Sequence, residues 1–120
     1  MAELTAGDRP SWTGARLARP TGDLALSVRF YRDLVGLPSV GGFENHDGYD
    51  GVFFRLPGGT ELELTAGPTG PAPSTEEDLL VLYLGTCQEL ESAGARLRAA
   101  GVAMVASPNP YWNRTGQTYL

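Results

Sequence analysis

The sequence DLALSVRFYRDLVGL, residues 23–37, carries the clearest helical pattern in the chain. Its apolar residues recur at helical spacing and would share one face: Leu24, Val28, Tyr31 and Val35. Asp23 precedes this face, and its carboxylate can cap the free backbone N–H groups of the first turn. Gly36 ends the pattern, and Pro38 prevents the helix from restarting. The sequence therefore predicts a helix that begins after Asp23 and ends at Gly36.

Strand patterns lie on both sides of this helix. Residues 15–20 predict a short strand, which Pro20 ends. Three more strands are predicted after the helix, at residues 38–43, 52–56 and 60–65. The last of these alternates strictly, with Leu62 and Leu64 on one face and Glu61 and Glu63 on the other. The first part of the chain thus reads as strand, helix and three strands.

The same order begins again after residues 66–77, which are rich in Pro, Gly, Ser and Thr and read as a linker. A strand is predicted at residues 79–84. Thr86 and Glu89 then predict a capping box, in which each side chain binds the other's backbone N–H group. The following helix has one apolar face and ends at Gly101, and strands are predicted at 102–106 and from 117 to the last residue. The helix–glycine–strand junction LVGL at residues 34–37 returns as AAGV at residues 99–102.

We therefore interpret the chain as one α+β domain, residues 14–120, that follows a leader at residues 1–13. Two β-α-β-β-β-like halves, residues 14–65 and 78–120, would form a curved mixed sheet around a cavity. The second half would lack its last strand, which leaves a sheet edge beside residues 117–120. Because exposed edges pair with other strands, the sequence predicts a homodimer, in which strands could be exchanged.

The composition narrows the classes of partner. A length of 120 residues suits one domain, and the net charge of -5 disfavours both nucleic acid and anionic membrane surfaces. Cys87 is the only cysteine, so no disulfide can form within the chain. No apolar run approaches the ~20 residues that span a bilayer, and the first residues lack the apolar core of a signal peptide. We expect a cytoplasmic protein.

Several of these residues together resemble the vicinal oxygen chelate superfamily, which includes glyoxalase I, extradiol dioxygenases and bleomycin-resistance proteins. Residues 23–37 are similar to its D-L-x(5)-F-Y-x-D-x-L-G-L signature. The strand Leu62-Glu63-Leu64 and the helix that ends at Gly101 are similar to its later landmarks. The resemblance extends from residue 15 to residue 120 and implies the fold predicted above.

The resemblance also implies a divalent metal (Zn, Ni, Fe or Mn) held by the first and last strands of each half. Glu63 falls on one ligand position, but Arg16 falls on the histidine position of the first strand. A guanidinium stays protonated and has no acceptor, so it cannot ligate a cation. Arg16 could instead pair with Glu63, or hold a carboxylate or phosphate of a ligand. Arg16 could also be an ordinary surface residue, with Arg19 facing inward if the register differs by one. Because the predicted metal ligands are incomplete, we predict no cofactor.

The segment 109–114 contains two adjacent aromatic residues, which could close over an apolar ligand or pack on another part of the protein. Asn113 could add polar contacts, and Tyr49 and Phe54 could also line the cavity. His46, the only histidine, lies in a polar turn where an exposed neutral imidazole is typical. The predicted ligand-binding residues are Arg16, Glu63, Tyr111, Trp112, Asn113 and Phe54, with no metal ligand and no catalytic residue assigned.

Three functions follow as hypotheses. The first is a metal-free, glyoxalase/bleomycin-resistance-like protein that binds a small organic ligand in its cavity. The alternative is a metal-dependent lyase, isomerase or dioxygenase whose ligands are completed by a partner chain or by residues after Leu120. The third is an interaction module without catalytic activity, and substrate identity does not follow from the fold.

Overall fold

The computed structural model describes residues 3–120, so the first two residues of the predicted leader lie outside it. Four strands and one helix make up the first half. Their bounds are β1 Arg16–Pro20, α1 Leu24–Arg29 with a π-helical continuation at Phe30–Val35, β2 Ser39–His46, β3 Tyr49–Arg55 and β4 Glu61–Ala66. The strands form one sheet in the order β1-β4-β3-β2, in which β1 and β4 are parallel and the other neighbours are antiparallel. The α+β class with a mixed sheet is confirmed.

The ends of α1 follow the signals in the sequence. The Asp23 carboxylate accepts a hydrogen bond from the backbone N–H of Leu26 at 3.0 Å, so it caps the first turn. Gly36 has a φ of 85°, a left-handed conformation that glycine adopts without steric cost. The backbone N–H of Leu37 then donates to the carbonyl of Tyr31 at 2.9 Å and closes the helix. The predicted start and end of this helix are confirmed.

The core lies between α1 and one face of the four-stranded sheet. Phe54 and Leu62 are completely or almost completely buried, and Leu56 and Leu64 are buried beside them. The helix covers this cluster with partly buried side chains, among them Leu24, Val28 and Tyr31. The alternation in β4 therefore points its leucines toward the helix, as predicted, and leaves its glutamates on the opposite face. We call that opposite side the open face of the sheet.

The second half is smaller in regular structure. It contains α2 Cys87–Ala99, β5 Met104–Val105, α3 Pro110–Thr115 and β6 Thr118–Tyr119, with β5 and β6 paired as an antiparallel ribbon. The helix α2 packs against the π-helical turn of the first half. There the Arg96 Nε donates to the carbonyl of Leu34 at 2.8 Å, which satisfies a carbonyl at the end of that helix. No helix among residues 3–120 is long and apolar enough to cross a bilayer.

The structure confirms most of the capping that was predicted at the two ends of α2. The backbone N–H of Glu89 donates to the Thr86 hydroxyl at 3.1 Å, but the Glu89 carboxylate accepts from the backbone N–H of Gly85 at 3.0 Å. The return bond of the capping box therefore reaches one residue further than predicted. At the other end, Gly101 has a φ of 87° and ends the helix as predicted.

The predicted strand at residues 79–84 is wrong, because these residues belong to no strand in the structure. Leu80 packs against the core of the first half, whereas Tyr83 is 81% exposed and Leu84 is 49% exposed. An apolar run becomes a strand only where a neighbouring strand offers backbone partners. No described residue provides such a partner here, so the segment stays irregular.

Most of residues 109–114 form the short helix α3, where no helix was predicted. The Asn109 side chain accepts from the backbone N–H of Tyr111 at 3.0 Å, and Pro110 occupies the first helical turn. Asparagine at the cap followed by proline is a favoured helix start, because proline lacks an N–H group that would need a partner there.

Candidate functional site

The open face carries Arg16 and Glu63, the two charged side chains that were predicted to lie near a ligand. Strand register aligns Ala18 with Glu63, Glu63 with Phe53, and Phe53 with Gly41 across all four strands. We call these four residues the central row. Because alanine and glycine lie at its two ends, the Glu63 carboxylate and the Phe53 ring have little side-chain bulk on either side. The central row therefore forms a shallow trough with an acid and an aromatic ring at its centre.

Arg16 lies above this trough from the edge strand β1. Its guanidinium carbon is 4.2 Å from the centre of the Phe53 ring, within the range of a cation–π contact. Its terminal nitrogens are 2.9 Å from Glu61 Oε1 and 3.4 Å from Glu63 Oε1. The predicted pairing of Arg16 with Glu63 is therefore present, although the contact with Glu61 is shorter.

The register also decides which arginine faces the site. Arg19 aligns with Leu64, whose side chain points toward α1, so Arg19 lies on the helical side of the sheet. Arg16 aligns with Glu61 on the open face. Of the two arginines, Arg16 therefore lies on the open face and Arg19 does not.

Glu63 keeps capacity to accept further hydrogen bonds. Its side chain is 17% exposed, and among residues 3–120 its carboxylate accepts only the 3.4 Å contact from Arg16. A carboxylate can accept several hydrogen bonds through its two oxygens. Glu63 can therefore receive a donor from a molecule placed over the trough.

A second aromatic ring extends the trough along the face. The centre of the Phe43 ring is 5.8 Å from that of Phe53, and the ring lies against the backbone of Gly51. A side chain at position 51 would collide with it, so the absence of a Cβ atom lets the ring lie flat on the sheet. A surface depression of about 420 Å³ continues from Arg16 and Glu61 toward residues 13–15.

The residues present do not fit the divalent-metal site that the resemblance implies. Among residues 3–120, no three side chains of His, Cys, Asp or Glu come together. The carboxylates of Glu61 and Glu63 instead share a guanidinium, which cannot bind a metal and repels one. The only histidine, His46, is 80% exposed in its turn, and its Nε2 lies 4.0 Å from Asp47. The interpretation of His46 as an exposed imidazole agrees with this position.

The predicted aromatic pair lies apart from the central row. The Tyr111 and Trp112 rings contact each other edge to face, with centres 5.0 Å apart, on the short helix α3. Within residues 3–120, neither ring has a hydrogen bond, aromatic contact or cation–π contact with a residue of the open face. A single chain therefore does not bring the aromatic pair to Arg16 and Glu63, and its role in ligand binding stays a prediction.

Asn113 and Phe54 contact other parts of the protein and not the open face. The Asn113 amide accepts from the backbone N–H of Ser107 at 2.8 Å and donates to the Ser107 carbonyl at 3.0 Å, which ties α3 to the preceding turn. Phe54 is 0% exposed and packs in the core, 6.0 Å from the Tyr31 ring. Sequence reasoning missed the neighbouring Phe53, although alternation along β3 places it on the same face as the glutamates.

Comparison with known proteins agrees with the fold. The model of the YycE-like N-terminal domain matches residues 15–65, and that of the YycE-like C-terminal domain matches residues 77–120. The uncharacterized protein YycE of Bacillus subtilis is 42% identical over 107 residues, which cover 86% of this chain and 76% of that protein. A crystal structure of a YycE protein of unknown function from the same organism superposes with a TM-score of 0.82. It is 40% identical, and the match covers 88% of this chain and 80% of that one.

Two more distant structures share the fold alone. The trypanothione-dependent glyoxalase I of Leishmania major has a TM-score of 0.63 at 21% identity, with 83% of this chain and 74% of that one covered. The fosfomycin resistance protein FosX of Listeria monocytogenes has a TM-score of 0.64 at 14% identity, with 82% and 75% covered.

Proposed function

The chain belongs to the YycE-like family, within the structural superfamily of glyoxalases and of bleomycin- and fosfomycin-resistance proteins, and on this premise we propose that it binds a small organic ligand on its open face without a divalent metal. The observation that carries the proposal is the position of Arg16. Its guanidinium lies between the carboxylates of Glu61 and Glu63, where it supplies the positive charge that those groups need.

Electrostatics supports the metal-free form of the proposal. A cation brought to Glu63 would meet a permanent positive charge within a few ångströms, in an environment partly shielded from water. Displacing Arg16 would still leave only the carboxylates of Glu61 and Glu63, because no third metal-binding side chain lies beside them among residues 3–120. Transition metals in proteins are usually held by three or more side chains that include histidine or cysteine.

The surface chemistry supports binding of an organic molecule. Small-molecule sites combine apolar surface with a few polar groups that fix orientation. The Phe43 and Phe53 rings supply the apolar surface, and Glu63 supplies a polar group with acceptor capacity. We propose further that Tyr111 and Trp112, whose paired rings lie in the second half, add apolar contacts to the ligand.

Calorimetric titration with Zn²⁺, Ni²⁺, Mn²⁺ and Fe²⁺ tests the metal-free proposal. We expect no stoichiometric binding at micromolar concentration by the wild-type protein. The variant Arg16→His is the matched control, because it replaces the repelling charge by an imidazole beside the same two carboxylates. We expect it to bind Zn²⁺ more tightly than the wild type does. Stoichiometric micromolar binding by the wild type would overturn the proposal and favour a metal-dependent enzyme.

A fragment screen by NMR tests ligand binding itself. We expect small aromatic fragments to shift backbone resonances of Ala18, Phe53 and Glu63. The variant Phe53→Ala should lose these shifts, whereas Leu26→Ala, at an exposed position of α1 on the other side of the sheet, should keep them. Fragments that bind the wild type and Phe53→Ala equally would show that the open face is not the site.

A further inference from the structure

We propose that the Arg16 guanidinium holds the place of a ligand cation, and that the central row selects planar organic cations such as amidinium or guanidinium groups. This inference rests on the proposed function, because it names the class of ligand for the same face. It starts from the disagreement between the residues present and a metal site. Glu61, Glu63 and Phe53 together contact one positively charged group, and that group is a planar organic guanidinium.

The contacts of Arg16 define the recognition chemistry. The guanidinium lies over the Phe53 ring at 4.2 Å and donates to two carboxylates at 2.9 and 3.4 Å. Stacking on an aromatic face combined with in-plane hydrogen bonds to carboxylates is the arrangement that a planar cation with several N–H donors requires. A ligand amidinium has the same shape and the same donors, so it can make the same contacts.

The position of Arg16 allows it to be exchanged. Its side chain is 49% exposed and extends from the edge strand β1, whereas Glu63 is 17% exposed in the middle of the sheet. Exposed ion pairs contribute little net stability, so rotation of Arg16 into solvent costs little. Ala18, beside Glu63, has no side-chain bulk to refill the space. A ligand cation can therefore replace the guanidinium on Phe53 and Glu63.

The balance of charges on the open face favours a cationic ligand over an anionic one. The open face carries four charged side chains. Arg16 on β1 and Arg55 on β3 are each in register with Glu61 on β4, and Glu63 is the fourth. With Arg16 in place the four charges cancel, and with Arg16 rotated away one negative charge remains. A cationic ligand restores the balance, while an anionic ligand would meet Glu63. The alternative in which Arg16 holds a carboxylate or phosphate is disfavoured, because its donors already bind Glu61 and Glu63.

Three probes of equal shape separate the outcomes: benzamidine, which is a cation at neutral pH, neutral benzamide and anionic benzoate. Each is titrated into the full-length protein and followed by NMR at the backbone resonances of the central row. We expect benzamidine to bind roughly fivefold more tightly than benzamide, and benzoate to bind weakest. Equal binding of benzamidine and benzamide would overturn this inference and leave the proposed function standing. No shift with any probe would count against both.

Variants at Glu63 and Arg16 test the roles of these two residues in binding the cation. Glu63→Gln should remove the advantage of benzamidine over benzamide, and Glu77→Gln, in the exposed linker, should not change it. Arg16→Ala removes the guanidinium that occupies the space over Phe53, so it should bind benzamidine several-fold more tightly than the wild type does. Weaker binding of benzamidine by Arg16→Ala would overturn the inference. Circular dichroism checks the fold of each variant, and the preference of the wild type among the three probes decides the question if a variant does not fold.

Discussion

Replacing Phe54 by alanine should destabilise the protein about twice as much as the same change at Phe53, although the two residues are neighbours in β3. Phe54 is 0% exposed and packs with Leu62 and the Tyr31 ring on the helical side of the sheet. Phe53 is partly exposed on the open face, where it contacts the Arg16 guanidinium and the Phe43 ring. The two variants therefore compare the two faces of one sheet with the same chemical change.

The expected magnitudes follow from these surroundings. Truncation of a buried phenylalanine costs roughly 3–5 kcal/mol, because it loses apolar burial and leaves a cavity. Phe53 loses a cation–π contact of about 0.5–1 kcal/mol and an aromatic pair of about 0.5–1.5 kcal/mol, for a total of roughly 1–2.5 kcal/mol. A domain of 120 residues unfolds with an entropy of about 0.25 kcal/mol/K, so the melting temperature should fall by about 15 °C for Phe54→Ala and by about 7 °C for Phe53→Ala.

Urea denaturation followed by circular dichroism measures both changes in the free energy of unfolding. Phe54→Leu, a milder truncation, gives the order of effects if Phe54→Ala does not fold. A loss at Phe53 as large as that at Phe54 would refute the reasoning, because it would show that the open face is packed as tightly as the core. Ligand binding should respond in the opposite way, with Phe53→Ala losing binding and Phe54→Leu retaining it.

Three further results are expected. Gly94→Ala should lower the free energy of unfolding in urea by roughly 1–3 kcal/mol, since a methyl group would collide with the side chains of Arg98, Gln117 and Tyr119 and break the hydrogen bonds that join them. Ser92→Ala, on the exposed side of α2, should not have this effect. Burial raises the pKa of the Tyr31 hydroxyl, so the folded state keeps this proton to higher pH than the unfolded state does. Stability should therefore fall as the pH rises above about 10, and Tyr31→Phe should reduce that fall in urea titrations between pH 8 and 11. The exposed apolar residues 81–84 should be covered by a second copy of the chain, so light scattering should give twice the 12.8 kDa of one chain and Tyr83→Lys should shift the mass toward 12.8 kDa. A wild-type mass of one chain at high concentration would contradict the homodimer.

The elements that the sequence predicted well are those whose signals are local. The helix after Asp23 has a cap, an apolar face and a terminating glycine within fifteen residues, and each signal acts through neighbours along the chain. The same is true of β4, where strict alternation of Leu62 and Leu64 with two glutamates settles both the strand and its faces. Such signals do not depend on what the rest of the chain does.

The error at residues 79–84 and the alternative left open between Arg16 and Arg19 fall where partners distant in sequence decide the outcome. Residues 79–84 have the composition of a strand, but a strand requires backbone partners that composition does not reveal. The choice between Arg16 and Arg19 depends on how β1 aligns with β4, which lies more than forty residues away. The helix α3 is a different case, because its signal, Asn109 followed by Pro110, was present in the sequence and was not used.

The candidate site was predicted in part. Arg16 and Glu63 are brought together as expected, since the resemblance placed both on neighbouring strands of one face. Phe54 was predicted to contact the ligand and Phe53 was missed, because β3 has apolar residues on both of its faces. Its neighbour β2 is rich in glycine and irregularly paired, so the sequence does not show which face of β3 lies toward the helix. Sequence patterns identify which residues are apolar, and the sheet register identifies which side each one occupies.

The parallel pairing of β1 with β4 has a consequence for the order of folding. The strands β2, β3 and β4 join through short turns, whereas Arg16 must meet a partner 45 positions along the chain. Closing so long a loop costs more entropy than forming a hairpin, so we expect β1 to join the sheet last. Until it does, Glu63 has no contact with a positively charged side chain, because Arg16 is its only such partner among residues 3–120. The salt bridge between Arg16 and Glu63 thus forms only when the first half reaches its native topology.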